Sequence, residues 1–148
     1  MDLGVTQDVL GNVFWEALHQ SGLPGRSAKE RCKALWVKLQ RYYQEHKSRD
    51  KFQDLTVTMI RKDHKSSPKL KAKGGETRAL VAFGVELATE LHARHRSQHT
   101  KRVLDVTENL HQIYQHMYRK FDAEAVATLS ARVAWDCSKL EQEANQED

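Results

Sequence analysis

The sequence predicts an all-α protein, an antiparallel bundle of five or six helices. Three observations support this. Apolar residues recur every three or four positions through most of the 148-residue chain. Short clusters rich in glycine, proline and polar residues interrupt that pattern, and such short connections favour antiparallel neighbours. Only one β-branched run, Thr56-Val57-Thr58, resembles a strand, and no second strand exists for it to pair with.

The first helix places Val9, Leu10, Val13, Phe14, Ala17 and Leu18 on one face, with Thr6 available as its N-cap. SGLPGRS breaks it, and Ser27-Ala-Lys-Glu30 has the spacing of a capping box that starts the second helix. That helix turns Cys32, Leu35, Trp36, Leu39 and Tyr43 inward and runs to about His46. A short helix is expected over 55–62. Ser67 before Pro68 marks the next helix start, since proline at the first helical position gives up an amide that would be unpaired anyway.

Gly74 and Gly75 would each cost about 1 kcal/mol relative to alanine inside a helix, so they mark either a break or a close backbone approach. Leu80, Phe83, Leu87 and Leu91 then define a core helix over 76–95, followed by the polar hinge HARHRSQHT. Two long helices close the chain. One carries the stripe Val103, Val106, Leu110, Ile113, Met117 and Phe121; the other carries Val126, Leu129, Val133, Cys137 and Leu140, with Asp122 as a cap between them. EQEANQED lacks apolar anchors. The expected organisation is therefore a single helical domain over 1–141 and a frayed acidic tail over 142–148.

A net charge of +4 conceals a division along the chain. Residues 1–25 carry three acidic residues and no Lys or Arg, residues 26–120 carry 22 Lys/Arg against 10 Asp/Glu, and residues 121–148 carry two basic against seven acidic. Such a basic middle can hold a polyanion. It can equally be a solvated helical surface whose lysines meet the acidic ends of the same chain. No apolar run is long enough to span a bilayer, and MDLGVTQDVL lacks the basic start and apolar stretch of a signal peptide, so an intracellular location is expected. The two cysteines have no metal-binding spacing and read as reduced, packed thiols.

The stretch SSPKLKAKGGETRALVAFG comes closest to a recognisable site. It has neither the P-loop pattern nor a dinucleotide-binding pattern, and no strand precedes it, so nucleotide hydrolysis is unsupported. Amides at the helix start near Glu76, with Lys69, Lys71, Lys73 and Arg78 close in sequence, could still bind a backbone phosphate without sequence preference. The alternative is a flexible basic surface.

Glu16-Ala-Leu-His19 and Glu108-Asn-Leu-His111 have the ExxH spacing of helical di-iron sites, but His19 and Glu108 fall away from their apolar stripes. His92, His95 and His99 have no Cys or carboxylate beside them in sequence, so they read as extending the basic surface with Arg94, Arg96, Lys101 and Arg102. Tyr42, Tyr43 and Tyr118 could stack on bases, although packing at the core edge is the more ordinary role. Trp15 and Trp135 stand off their stripes and would cover a neighbouring helix or a partner. No nucleophile elbow or HExxH is present, and no pattern assembles Asp105, Glu108 and Asp136 into a catalytic cluster.

The run from Trp36 through YYQEHKSRDKFQDLTVTMIRKD to SSPKLKAKGGETRALVAFGVELATELH, and PKLKAKGGETRALVAF within it most of all, resembles multicopy proteins of unicellular algal genomes with a mobile-element character. The resemblance covers about residues 32–120. It implies a helical accessory region of a transposition or retroelement protein and carries over no catalytic residues. Those related sequences often have alanine-like residues at these two positions, which implies a helix that continues through them; Gly74 and Gly75 depart from that pattern, which puts the continuity in doubt.

Together these readings point to a non-enzymatic module that binds DNA or RNA without sequence specificity and uses no cofactor or metal. Arg61, Lys62, Lys65, Lys69, Lys71, Lys73 and Arg78, extended by Arg94, Arg96, Lys101 and Arg102, are the expected phosphate contacts. A nuclear location follows only from that reading. The alternative is a protein-interaction or self-assembly domain, in which acidic ends and a basic middle steer association between chains or with a protein partner.

Overall fold

A computed structural model describes residues 3–20, 22–119 and 123–146. Among them six helices pack together and no strand occurs: α1 (Leu3–Gln20), α2 (Ala28–His46), α3 (Val57–Ile60), α4 (Gly74–Arg94), α5 (Gln98–Arg119) and α6 (Ala123–Gln146). The all-α bundle follows from the periodicity that predicts it. The six apolar residues expected on the inner face of α1 are all at most 1% exposed, so that face is the bundle's central stripe. Leu80, Phe83, Leu87 and Leu91 of α4 and Val103, Val106, Leu110 and Ile113 of α5 meet it. Each such side chain contributes about 1.5–3 kcal/mol by leaving water. Phe14 and Phe83 lock α1 to α4 edge-to-face, with ring centroids 5.9 Å apart.

Helix directions follow from the connections. The tight turn at 95–97 makes α4 and α5 antiparallel, and α6 returns along α5. Tyr42 packs on Phe83 and Lys38 pairs with Glu90, so α2 also opposes α4. By contrast α1 and α4 run in the same direction: Gln7 lies beside Ala72, Leu10 beside Gly84, and Gly22 against Arg94. The long irregular connection over 47–73 makes this parallel pairing possible, because it carries the chain back before α4 begins. No helix among the described residues is long and apolar enough to cross a membrane.

Several local expectations change. Thr6 does not cap α1, which starts at Leu3; Thr6 is fully buried and its hydroxyl pairs with Tyr114 Oη of α5 at 2.9 Å. Ser27 does cap α2, accepting from the Glu30 amide at 3.2 Å, while the Glu30 carboxylate accepts from the Arg26 amide at 2.6 Å. Tyr42 and Tyr43 are both buried, since Tyr42 stacks on His46 and Tyr43 Oη accepts from the Phe52 amide. Trp36 is only half-buried, and Met117 is 37% exposed at the end of its stripe. The expected tail is helical as far as Gln146, and Glu143 within it is held by α5. Phe121 and the proposed cap Asp122 lie outside the described residues, as does the side chain of Val126.

Candidate nucleic-acid interface

The segment from Pro68 to Lys73 is extended, not the start of a helix. Its amides leave in alternate directions: Lys69 and Lys71 donate to Ile60 and Met59 carbonyls of α3 at 2.8 and 2.7 Å, while Leu70 donates to the Gln7 carbonyl of α1 at 2.9 Å. Gln7 Nε2 in turn donates to the Ala72 carbonyl at 2.7 Å. In an extended chain successive side chains point to opposite sides. Leu70 is accordingly fully buried and Ala72 half-buried, whereas Lys69, Lys71 and Lys73 are all exposed. A helix over the same residues would have turned each lysine about 200° from the previous one. The extended form sends the three outward together, about 7 Å apart along the chain.

Gly11 allows this arrangement. A β-carbon there would lie 2.6 Å from the Lys69 Cα and backbone nitrogen, which neither α1 nor the segment could accommodate without moving. Beside the segment, a groove of about 590 Å³ is lined by Lys62, Lys69 and Lys71, with Gln7, Thr58, Ser66 and Ser67 supplying polar groups and Met59 and Leu70 the apolar wall. Lys69 Nζ also lies 3.9 Å from Asp8 Oδ1 of α1. That exposed pairing contributes little to stability.

The glycine pair has a different role from the one that a phosphate seat would need. α4 begins at Gly74 itself, and a β-carbon on Gly75 would lie 2.8 Å from Asp50 Oδ2. The Asp50 carboxylate therefore sits against the positive end of α4. The Glu76 carboxylate also accepts from the Lys73 amide at 2.8 Å. The helix start is thus already furnished with anions from the protein itself.

The remaining expected contacts are distributed unevenly. Lys65 is exposed on the turn after α3, where its amide donates to Asp63 Oδ1; the Ser66 side-chain hydrogen bond first, and then that amide bond, hold the Asp63 carboxyl below its ordinary range. Arg61 is committed to the fold. Its guanidinium donates to the carbonyls of Asp63, His64 and Ser66 and lies over the Trp15 ring, 4.9 Å from the centroid. Arg78 is exposed on α4. Arg94 and Arg96 lie at the far end of α4, about 30 Å from Lys73 for a helix of this length. Lys101 is exposed on the first turn of α5, but Arg102 pairs with Glu143 of α6 and lies 5.9 Å from the Trp135 ring centroid.

His99 has the carboxylate neighbours that the sequence does not place beside it. Its Nε2 meets Glu16 Oε1 of α1 at 3.0 Å, and its Nδ1 pairs with Glu143 of α6. The hydrogen bond with Glu16 is the foremost reason that the imidazole is held protonated to about pH 9, against the opposing effect of burial. The two carboxylates bind opposite ring nitrogens and converge on no common point. Among the described residues no group of three or more His, Cys, Asp or Glu is arranged to hold a metal ion.

Across the bundle, Asp105, Glu108 and Asp136 do come together, with Arg132 and Trp135, around a shallow groove of about 550 Å³ between α5 and α6. Burial and then the neighbouring Asp105 raise the Asp136 pKa. Trp135 is 58% exposed at its edge. Compared with family models, curated proteins and solved structures, the chain matches none.

Proposed function

We propose that the chain is a non-enzymatic nucleic-acid-binding module that grips backbone phosphates at the groove beside α3. One observation carries this reading: the extended segment presents Lys69, Lys71 and Lys73 on one side, with Lys62 and Lys71 lining the same groove. Lysine ammonium groups approaching an open groove from different backbone elements suit a chain of phosphates better than a single small anion. Contacts of this kind read no bases, so DNA and RNA are both ligands. Lys65, close by on the same connection, extends the set. The resemblance of PKLKAKGGETRALVAF would make such a module an accessory region of a mobile-element protein, acting where that element's nucleic acid is held.

Replacing Lys69, Lys71 and Lys73 together with glutamate should lower affinity for nucleic acid more than about tenfold at low salt and reduce the salt dependence by about two counterions on a single strand. Far-UV circular dichroism should stay unchanged, because all three side chains are exposed. Equal affinity in the variant would remove this surface from consideration.

A second reading is favoured by the α5–α6 groove. Its carboxylates and the exposed Trp135 form a surface complementary in charge to the lysine groove of another copy. This reading makes the chain a self-assembly domain. It predicts a sedimentation coefficient that rises with protein concentration and falls back with salt; a strictly monomeric protein would leave only a heterologous partner.

A further inference from the structure

α3 is a short ridge with a groove on either side. The second groove, of about 330 Å³, lies between the first turns of α2 and residues 54–58. Lys29 and Lys33 stand along its α2 edge, four residues apart and so on one helix face. Thr56 and Thr58 line the other side, and their hydroxyls hydrogen-bond to each other at 3.3 Å. Thr58 also lines the Lys62–Lys71 groove, which makes it the crest shared by both. One carboxylate, that of Asp54, belongs to the second groove, where it accepts from the Leu55 amide at 2.8 Å. The Cys32 thiol at the floor is turned to the Leu55 carbonyl, 3.5 Å away, and burial pushes its pKa up to about 11. It is therefore a poor nucleophile at neutral pH. Exposed lysines and hydroxyls over an unreactive floor suit binding.

We infer that the two grooves form one track, and that a single-stranded nucleic acid crosses α3 at Thr58 with phosphates held by Lys29 and Lys33 on one side and by Lys62, Lys69 and Lys71 on the other. This rests on the phosphate-binding reading of the Lys62–Lys71 groove. The single strand is selected by shape. A ligand entering both grooves has to bend over a ridge only four residues long. A single strand does so freely, whereas a duplex with a persistence length of about 150 base pairs would touch only one side.

The test is anisotropy of a labelled oligothymidylate of about 20 nucleotides, and of a duplex of equal length, with the full chain and the K29E/K33E variant over a salt series. The track predicts tighter binding of the single strand, about tenfold or greater weakening in the variant, and a salt slope shallower by about 1.4. Circular dichroism and thermal melting confirm that both proteins are folded. If the wild type binds no nucleic acid at low salt, the underlying phosphate reading fails. If it binds but K29E/K33E binds equally well with the same slope, the second groove is not part of the site while the first stands. Duplex bound as tightly as the single strand overturns the path over α3.

Discussion

His99 joins three helices through one ring, with Glu16 of α1 and Glu143 of α6 on its two nitrogens and Arg102 completing the pairing of Glu143. Its pKa rises from the ordinary 6.5 to about 9 in the folded protein. The resulting stabilisation is complete below about pH 6.5, where the unfolded chain is protonated too, and is lost as pH rises through about 9. Its size at neutral pH is on the order of 2 kcal/mol. His99→Gln should therefore lower the melting temperature at pH 6–7 and flatten the fall in stability between pH 7 and 10; an unaltered pH profile would show that the ring is not held charged. Arg61→Ala should loosen the turn at 61–66, seen as faster amide exchange there, since its guanidinium satisfies three of that turn's carbonyls. Neither role was legible in the sequence. Glu16 and His99 are 83 residues apart, and no helical period relates them. Arg61 looks like any other cation of a basic stretch until Trp15 and the turn carbonyls are seen around it.

At the level of elements, sequence periodicity located the long helices and their inner faces because each buries one continuous stripe, and Ser27 was readable as a cap because capping is local. The connection before α4 departs from the helix start that its sequence suggests. Ser67-Pro68 carries the local signature of a helix start, but Lys69-Leu70-Lys71-Ala72-Lys73 alternates polar and apolar residues, the period of extended chain. Tertiary amide bonds to α1 and α3 favour the second pattern. Gly11, inside a well-formed helix, gave no local sign that another backbone would press against it. Gly11→Ala should destabilise the fold by about 1–3 kcal/mol, as overpacking does, and should weaken nucleic-acid binding by displacing Lys69. The glycine pair should respond unequally. Gly74 has open space where a β-carbon would go, so Gly74→Ala should stabilise by about 0.5–1 kcal/mol, raising the melting temperature by about 2 °C. Gly75→Ala should lose that gain against Asp50 and recover it in an Asp50→Ala background. Additive effects of the two substitutions would mean that Asp50 does not crowd the helix start.

Over the whole molecule, the division of charge along the sequence becomes a division in space only in part. Lys62, Lys69 and Lys71 of the 61–73 connection gather beside α3, and three carboxylates of the last two helices gather between α5 and α6. Arg94 and Arg96 sit at the other end of α4, and Arg102 is matched by Glu143 from the acidic end of the chain. A count along the sequence treats all these cations alike, whereas the fold uses some as internal partners and leaves others facing water. Whether these lysines grip phosphate is decided by a salt titration of binding to a labelled single-stranded oligonucleotide, wild type against the Lys69, Lys71 and Lys73 triple glutamate variant. Phosphate contact at these lysines predicts wild-type binding that falls steeply with salt, and a variant that binds weakly with a shallower slope. Absence of wild-type binding at low salt, or binding that the variant retains in full, would contradict it.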